Sequence, residues 1–396
     1  MQYLFARSMV STGSGLALAL LLSACGGGGA DEASTASAEV ASEASAATTA
    51  VDSGPTMQAT AARRTTTTTS ATTTKAGTVS FASSGWSTWT KNLKPIFGGP
   101  YNLVGDPSVV RDGSTLRMAY NCFDPMRQRG AVCEALSSDG LGWSDAPIND
   151  GIAGRLIQTR AGEWDDAQET PLIYKFGKET LLFFSGYLKK GSGFVDSFPA
   201  HIGLATSTDG LNFTRYGTDP VLKTTPGGYD NDALFSPSIV EHNGKLVMIY
   251  TGHCWTNCPN GMGVFLLAAT STDGRNWTKL AKPIISKAEL PMAKDGAAEA
   301  EMVKGPDGYY YLFMTLLQGD AGHNIGVARS ATPFGPWDVN TTPILKGTSG
   351  EFDGLAAVAP SVLIENGKVR LWFHGFGADN TLRIGYAEAP WPLRLP

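Results

Sequence analysis

Carboxylates recur near prolines at long, even intervals. Asp106 stands directly before Pro107 in "GDPSVV", and Glu169 stands two residues before Pro171 in "ETPLIY". Asp166 and Asp232 lie five residues ahead of Pro171 and Pro237, and Glu299 and Glu301 flank Ala300 in "EAEMV". Acidic groups that reach one place from separate segments suit general acid–base chemistry. One carboxylic acid protonates a leaving oxygen while a carboxylate opposite activates water, the pair that cleavage of a glycosidic bond requires. Crowding such groups raises some pKa values by mutual repulsion and keeps an acid protonated. The same residue types also serve structure. Asp–Pro opens strands, and Asp165, Asp230 and Asp353, each directly after an aromatic, suit turn caps.

The elements that must position these groups are repeated. "DPSVVRDGSTLRMAYN", "TPLIYKFGKETLLFFSG", "SPSIVEHNGKLVMIYTG", "AEMVKGPDGYYYLFMT" and "APSVLIENGKVRLWFHG" share one grammar, anchored at Pro107, Pro171, Pro237, Glu301 and Pro360. The intervals are 64, 66, 64 and 59 residues, and a long fixed period means a repeat architecture. In each copy two short β-rich runs flank a tight turn such as "HNG" or "ENG". A third run follows ("IGLATST", "LLAATST", "IGVARSA"), then an Asp-Gly turn closed by an aromatic ("SSDGLGW", "STDGLNF", "STDGRNW"), then a fourth run ending in Pro and an apolar pair. Four antiparallel strands per repeat predict a blade, and five repeats predict an all-β, five-bladed β-propeller over residues 80–396. The fifth copy lacks its fourth run, while "GWSTWTKNLKPIF" (85–97) carries that signature at the front. The N-terminal strand is therefore expected to close the last blade beside Ile384–Ala387 and cover an open edge.

Five blades, an Asp-Pro opening the first and a Glu entering the fourth before "DGYYYLF" resemble the arabinanase, levansucrase and invertase superfamily, most closely glycoside hydrolase family 43. The resemblance covers roughly residues 85–390. It implies a base in blade one, a modulating Asp in blade three and an acid Glu in blade four. It assigns Asp106 as base and Glu299 as acid. Blade three has Ser236 where the pattern has Asp, so Asp232 substitutes from four residues earlier. Glu169-Thr170-Pro171 keeps the Glu-x-Pro form in blade two, so Glu169 rivals Glu299 as acid, with Asp166 and Glu301 as further substrate-binding or acid candidates. The Asn-Asp-Pro, Arg-Asp-Pro and Glu-Cys signatures of fructan-cleaving relatives are absent. The resemblance implies a carbohydrate substrate, inversion at the anomeric carbon and no required cofactor. It also places a metal-associated His near the channel, for which His374 in "WFHGF" is the candidate and Ca2+ the ion, with His253 in "YTGH" similarly placed. Two other readings stay open: a non-catalytic carbohydrate-binding propeller, and a sialidase-like enzyme. The sialidase Asp box resembles "SSDGLGW" but is one residue longer, and no arginine triad is evident.

Residues 1–25 are expected to be a leader. "GLALALLL" is too short for a permanent span, and "LLSAC" resembles a bacterial lipoprotein signal that leaves Cys25 to carry lipid. With no Asp after Cys25, the resemblance points to the outer membrane. Residues 26–79, rich in Ala, Ser, Thr and Gly, read as a disordered tether. The remaining four cysteines, in an exported chain, predict the bridges Cys122–Cys133 and Cys254–Cys258 by proximity. The formal net charge of −5 gives no reason to expect nucleic acid as a partner, and the folded part is expected to be a monomer.

Overall fold

The computed structural model describes residues 71–75, 77–81, 87–98, 103–147, 151–190, 197–319 and 322–394. The leader, Cys25 and residues 26–70 of the expected tether lie outside the described residues. Among the described residues no helix is long and apolar enough to cross a membrane.

The fold is all-β, with helix confined to short turns such as Lys287–Glu289. The chain opens with β1 (Ala71–Lys75), β2 (Thr78–Phe81) and β3 (Trp89–Asn92). Four-strand units follow: β4 (Gly105–Asp112), β5 (Thr115–Asp124), β6 (Arg129–Ser137) and β7 (Ser144–Asp145) form the first. The second has β8 (Ala167–Phe176), β9 (Glu179–Tyr187), β10 (Ala200–Ser207) and β11 (Thr214–Arg215). The third has β12 (Ala233–His242), β13 (Lys245–Cys254), β14 (Gly263–Ser271) and β15 (Thr278–Lys279). The fourth has β16 (Gly296–Lys304), β17 (Tyr310–Leu317), β18 (Asn324–Ser330) and β19 (Asp338–Val339). The fifth has β20 (Ala356–Glu365), β21 (Lys368–Phe376) and β22 (Leu382–Pro390). Its fourth place is filled by β3, which pairs with β22 through Ala387↔Lys91 and Glu388↔Thr90. The β1–β2 hairpin continues outward from β3, so strand begins at Ala71, inside the segment expected to be tether up to residue 79.

The hairpins between first and second strands form as their turn residues dictate. Asn243-Gly244 and Asn366-Gly367 take φ values of 50° and 71°, and 52° and 71°. Positive φ at both central residues is the type I′ requirement that Asn-Gly meets. Every residue of β17 is buried, because a strand packed on both faces has no side to give to water. The first strands β4, β8, β12, β16 and β20 neighbour one another in that order, and β20 returns to β4. The principal apolar clusters sit between consecutive units: Tyr120 with Trp372, Phe184 with Val132, Met248 with Leu204, Leu312 with Ile249, and Phe373 with Phe313. The units are thus joined by their cores.

The bridges Cys122–Cys133 and Cys254–Cys258 are both present. Asp165, Asp230 and Asp353 are structural. They pair with Arg215 of β11, Lys279 of β15 and Lys91 of β3, binding the loop that enters each unit to that unit's fourth strand.

Candidate active site

Each first strand carries one β-bulge at the same place. The ladders skip between Gly105 and Ser108, Glu169 and Leu172, Phe235 and Ser238, Ala298 and Glu301, and Val358 and Ser361. The first skipped residue is left-handed in every unit: Asp106 (φ 49°), Thr170 (48°), Ser236 (52°), Glu299 (47°) and Ala359 (48°). A non-glycine residue pays of order 1–3 kcal/mol for that backbone, so the surroundings must impose it. The second skipped residue is proline in four units, as suits a bulge position with no ladder N–H to give. In the fourth unit that place belongs to Ala300. The anchor assigned to Glu301 from the sequence is therefore one residue late. The bulge, not the position of the nearest acid, sets the register. Glu299 stands at the same level as Asp106, and Glu301 falls where other units have Ser108, Ser238 and Ser361.

Hydrogen bonds between units hold this level. The N–H groups of Thr170, Ser236, Glu299 and Ala359 donate to Asn121 Oδ1, Thr170 Oγ1, Thr251 Oγ1 and Thr315 Oγ1, at 2.8–3.2 Å. One level further, Ile173, Met302, Val109 and Val362 N–H groups donate to Ser108, Ser238, Ser361 and Glu301, at 2.9–3.1 Å. Asn121, Ser185, Thr251, Thr315 and His374 oppose the bulges from the second strands. Sequence reasoning missed Thr251 and Thr315. Aligning "AYN", "FFS", "IYT", "FMT" and "WFH" as one column would have found them.

Asp106, Glu169 and Glu299 line one cavity at this level. Asp106 is buried, and its Oδ1 has no hydrogen-bond partner among the described residues. Glu299 Oε2 accepts from Thr315 Oγ1 at 2.9 Å. Burial, and then the Asp106 charge, push the Glu299 carboxyl above the usual carboxylate range. Glu169 accepts from the Tyr187 hydroxyl at 2.5 Å. It too is pushed up, first by burial and further by Asp106, although part of its surface stays open. Two carboxyls inclined to keep a proton thus share a cavity with Asp106.

The other expected site residues divide. Glu301 lines a second, adjoining cavity one level further in, and burial raises it to about 8 against the opposing bonds from Ser361 and Val362. An acid whose folded pKa is raised favours the fold while protonated. That contribution is complete below the unfolded value near 4.5 and is lost as pH rises through about 8. Glu301→Gln keeps an acceptor for the Val362 N–H. It is expected to shrink the stability lost between pH 5 and pH 8 by about 2–4 kcal/mol, read from urea unfolding at both pH values. An unchanged difference would place the titration elsewhere.

Asp166 and Asp232 do not line the cavity. Asp166 is buried in an ion pair with Arg129. Asp232 Oδ2 accepts the N–H groups of Trp255 and Thr256 at 2.6 and 3.1 Å, and Oδ1 accepts the Thr256 hydroxyl at 2.8 Å. Burial pushes Asp232 up, but those bonds together outweigh it and leave the carboxyl lowered. The expectation that Asp232 replaces the missing blade-three Asp is thus corrected: it caps the loop after β13. Ser236 occupies the equivalent level itself.

His374 is buried against the first unit, with Nδ1 3.8 Å from Asp106 Oδ1. A Cβ on Gly105 would sit 2.5 Å from His374 Nδ1, so only glycine admits the ring there. Neither ring nitrogen has a hydrogen-bond partner among the described residues. As a calcium site the donor set is short. One imidazole and one carboxylate are far from the six to eight oxygens a calcium ion takes, so these side chains alone build no cage.

This all-β fold with an acidic cavity resembles the propeller glycoside hydrolases of the arabinanase, levansucrase and invertase superfamily. Residues 184–313 match the family model for the glycosyl hydrolases family 32 N-terminal domain, a stretch that contains Glu299 and leaves out Asp106 and Glu169. An uncharacterized protein of Mycobacterium tuberculosis is 25% identical over 171 residues, 42% of this chain and 51% of that protein. Sucrose-6-phosphate hydrolase of Zymomonas mobilis is 34% identical over 95 residues, 24% of this chain and 18% of that enzyme. The chain thus matches about half the length, or less, of these curated relatives. The solved structure of a thermostable family-43 glycoside hydrolase shares the fold with a TM-score of 0.55 at 17% identity, covering 74% of this chain and 94% of that one.

Proposed function

We propose that the chain is a glycoside hydrolase built as a five-bladed β-propeller, with Asp106 as base and Glu299 as acid. The observation that carries this reading is the shared cavity of Asp106, Glu169 and Glu299, two of them held up by burial and by the charge of the third. In this mechanism Asp106 takes a proton from water as the water oxygen bonds to the anomeric carbon. The carbon–oxygen bond to the leaving group breaks as Glu299 gives its proton to that oxygen. The product has inverted configuration, which proton NMR of the first product reads directly. Glu169, one unit round from Asp106, takes the third-carboxylate part expected of Asp232. The five bulged first strands, one per four-strand unit, support the blade count.

A non-catalytic carbohydrate-binding propeller is the second reading, favoured by a serine hydroxyl at Ser236 where the resemblance expects Asp. The soluble domain, screened on aryl glycosides, sucrose, arabinan and mannan oligosaccharides, separates the two. Turnover supports the enzyme, and binding without turnover supports the module.

We also propose that Cys25 carries lipid and holds the domain at the bacterial envelope, on the outer membrane. Cys25→Ser is expected to move the protein from the membrane fraction to the soluble one. A variant still sedimenting with membranes overturns the anchor.

A further inference from the structure

We infer that an aromatic wall beside the carboxylates seats an uncharged sugar ring, and that His253 reads one hydroxyl of that ring. The inference rests on the glycoside hydrolase reading and adds to it the residue that selects the sugar.

Phe235 and His253 line the cavity that holds Asp106, Glu169 and Glu299. Their ring centroids are 5.3 Å apart. Phe198 lies 6.3 Å from the His253 ring, Trp255 lies 5.9 Å from it, and Tyr187 lies 6.4 Å from Phe235. Tyr187 is the hydroxyl donor to Glu169, so the wall and a carboxylate share a residue. Of these rings Phe235 and His253 line the cavity, and their packed neighbours hold them rigid, with few torsions to freeze on binding.

His253 supplies the polar element. It is 4% exposed, and its Nδ1 has no hydrogen-bond partner among the described residues. A buried acceptor or donor left unpaired is costly, and a hydroxyl of the bound ring relieves that cost. Burial holds the imidazole down to about 3, so the ring is neutral, with one nitrogen donating and one accepting. That pattern suits a hydroxyl, which both gives and takes, rather than an anion. The described residues lining the cavity with His253 include Asp106, Glu169 and Glu299 and no Lys or Arg, so a phosphorylated or acidic sugar meets repulsion there. The wall is also preset. Cys254 follows His253 directly and is bridged to Cys258, and Asp232 ties down the backbone of Trp255 and Thr256.

The test compares kcat/KM of wild type, His253→Asn and His253→Phe on the best 4-nitrophenyl glycoside and its monodeoxy analogues. Removing a hydroxyl from a site built to bond it costs a large factor. One analogue is expected to cost wild type about 30-fold or more, and His253→Phe to lose a similar factor on the parent glycoside and nothing further on that analogue. His253→Asn, whose amide reaches the place of Nδ1, should stay within about 5-fold of wild type. The pH profiles should coincide, because a neutral imidazole does not titrate in the working range. His253→Phe within threefold of wild type, or equal penalties in both proteins on every analogue, overturns the inference. If the variants do not fold, wild type decides alone, because indifference to every monodeoxy analogue also overturns it. A wild type without any turnover sinks the hydrolase reading separately. Calorimetry with arabino- and xylo-oligosaccharides then judges the wall: binding lost in His253→Phe keeps it, and unchanged or absent binding rejects it.

Discussion

Asp106→Asn is expected to lower kcat by about 10²–10⁴-fold on every substrate, because no other group at its level is inclined to be a base. Glu299 and Glu169 are both pushed toward the protonated form, and His374 sits with its Nδ1 3.8 Å from Asp106 Oδ1. The loss should therefore not depend on the leaving group. Glu299→Gln should behave differently. It should cost little on a 4-nitrophenyl glycoside, whose leaving group needs little protonation, and far more on an oligosaccharide. Glu169→Gln is the comparison. If it alone carries the leaving-group dependence while Glu299→Gln stays near wild type, the acid is in the second unit, where Glu-x-Pro is retained. Full activity in all three variants on a confirmed substrate sinks the assignment.

Asp353→Ala is expected to cost about 3–5 kcal/mol of stability, the effect of stranding a buried charge. Lys91 is 0% exposed and Asp353 1%, and Lys91 Nζ also donates to the Lys346 carbonyl at 2.6 Å. The ammonium lies 5.3 and 5.9 Å from the ring centres of Phe81 and Phe373. Burial dominates both partners, lowering Lys91 and raising Asp353 against their mutual attraction. This pair binds the N-terminal strand β3 into the last unit, so its loss should loosen the closure of the whole ring. A drop in Tm of about 6–15 °C is expected, measured by calorimetry. Lys91→Met with Asp353→Leu should recover most of it, since a well-packed apolar pair often replaces a buried ion pair without loss. Asp165→Ala should cost less, because Arg215 keeps 19% of its side chain in solvent. A single variant melting within 2 °C of wild type would falsify the latch.

The repeat and its hairpins were legible in the sequence because they rest on local chemistry. Asn-Gly turns demand positive φ, alternating apolar runs demand a sheet, and the unclaimed fourth run at residues 85–97 demanded a partner near Ile384. Asp106 and Glu299 were legible as acids entering first strands. The finer placement of acids was not. Asp232 and Ser236 are four residues apart, and nothing in the run "DALFSP" says which one the bulge turns toward the cavity. In the fourth unit Ala300 replaces the proline that marks the bulge elsewhere, so the anchor slid to Glu301. Tertiary structure decided these points, because a bulge is set by pairing with a second strand and by N–H groups that need acceptors on the neighbouring unit. The same long-range packing decided the electrostatics. Burial by five converging strands, not any local motif, raises Glu169, Glu299 and Glu301, and it brings His253 and Phe235 to the side of an acid more than sixty residues away.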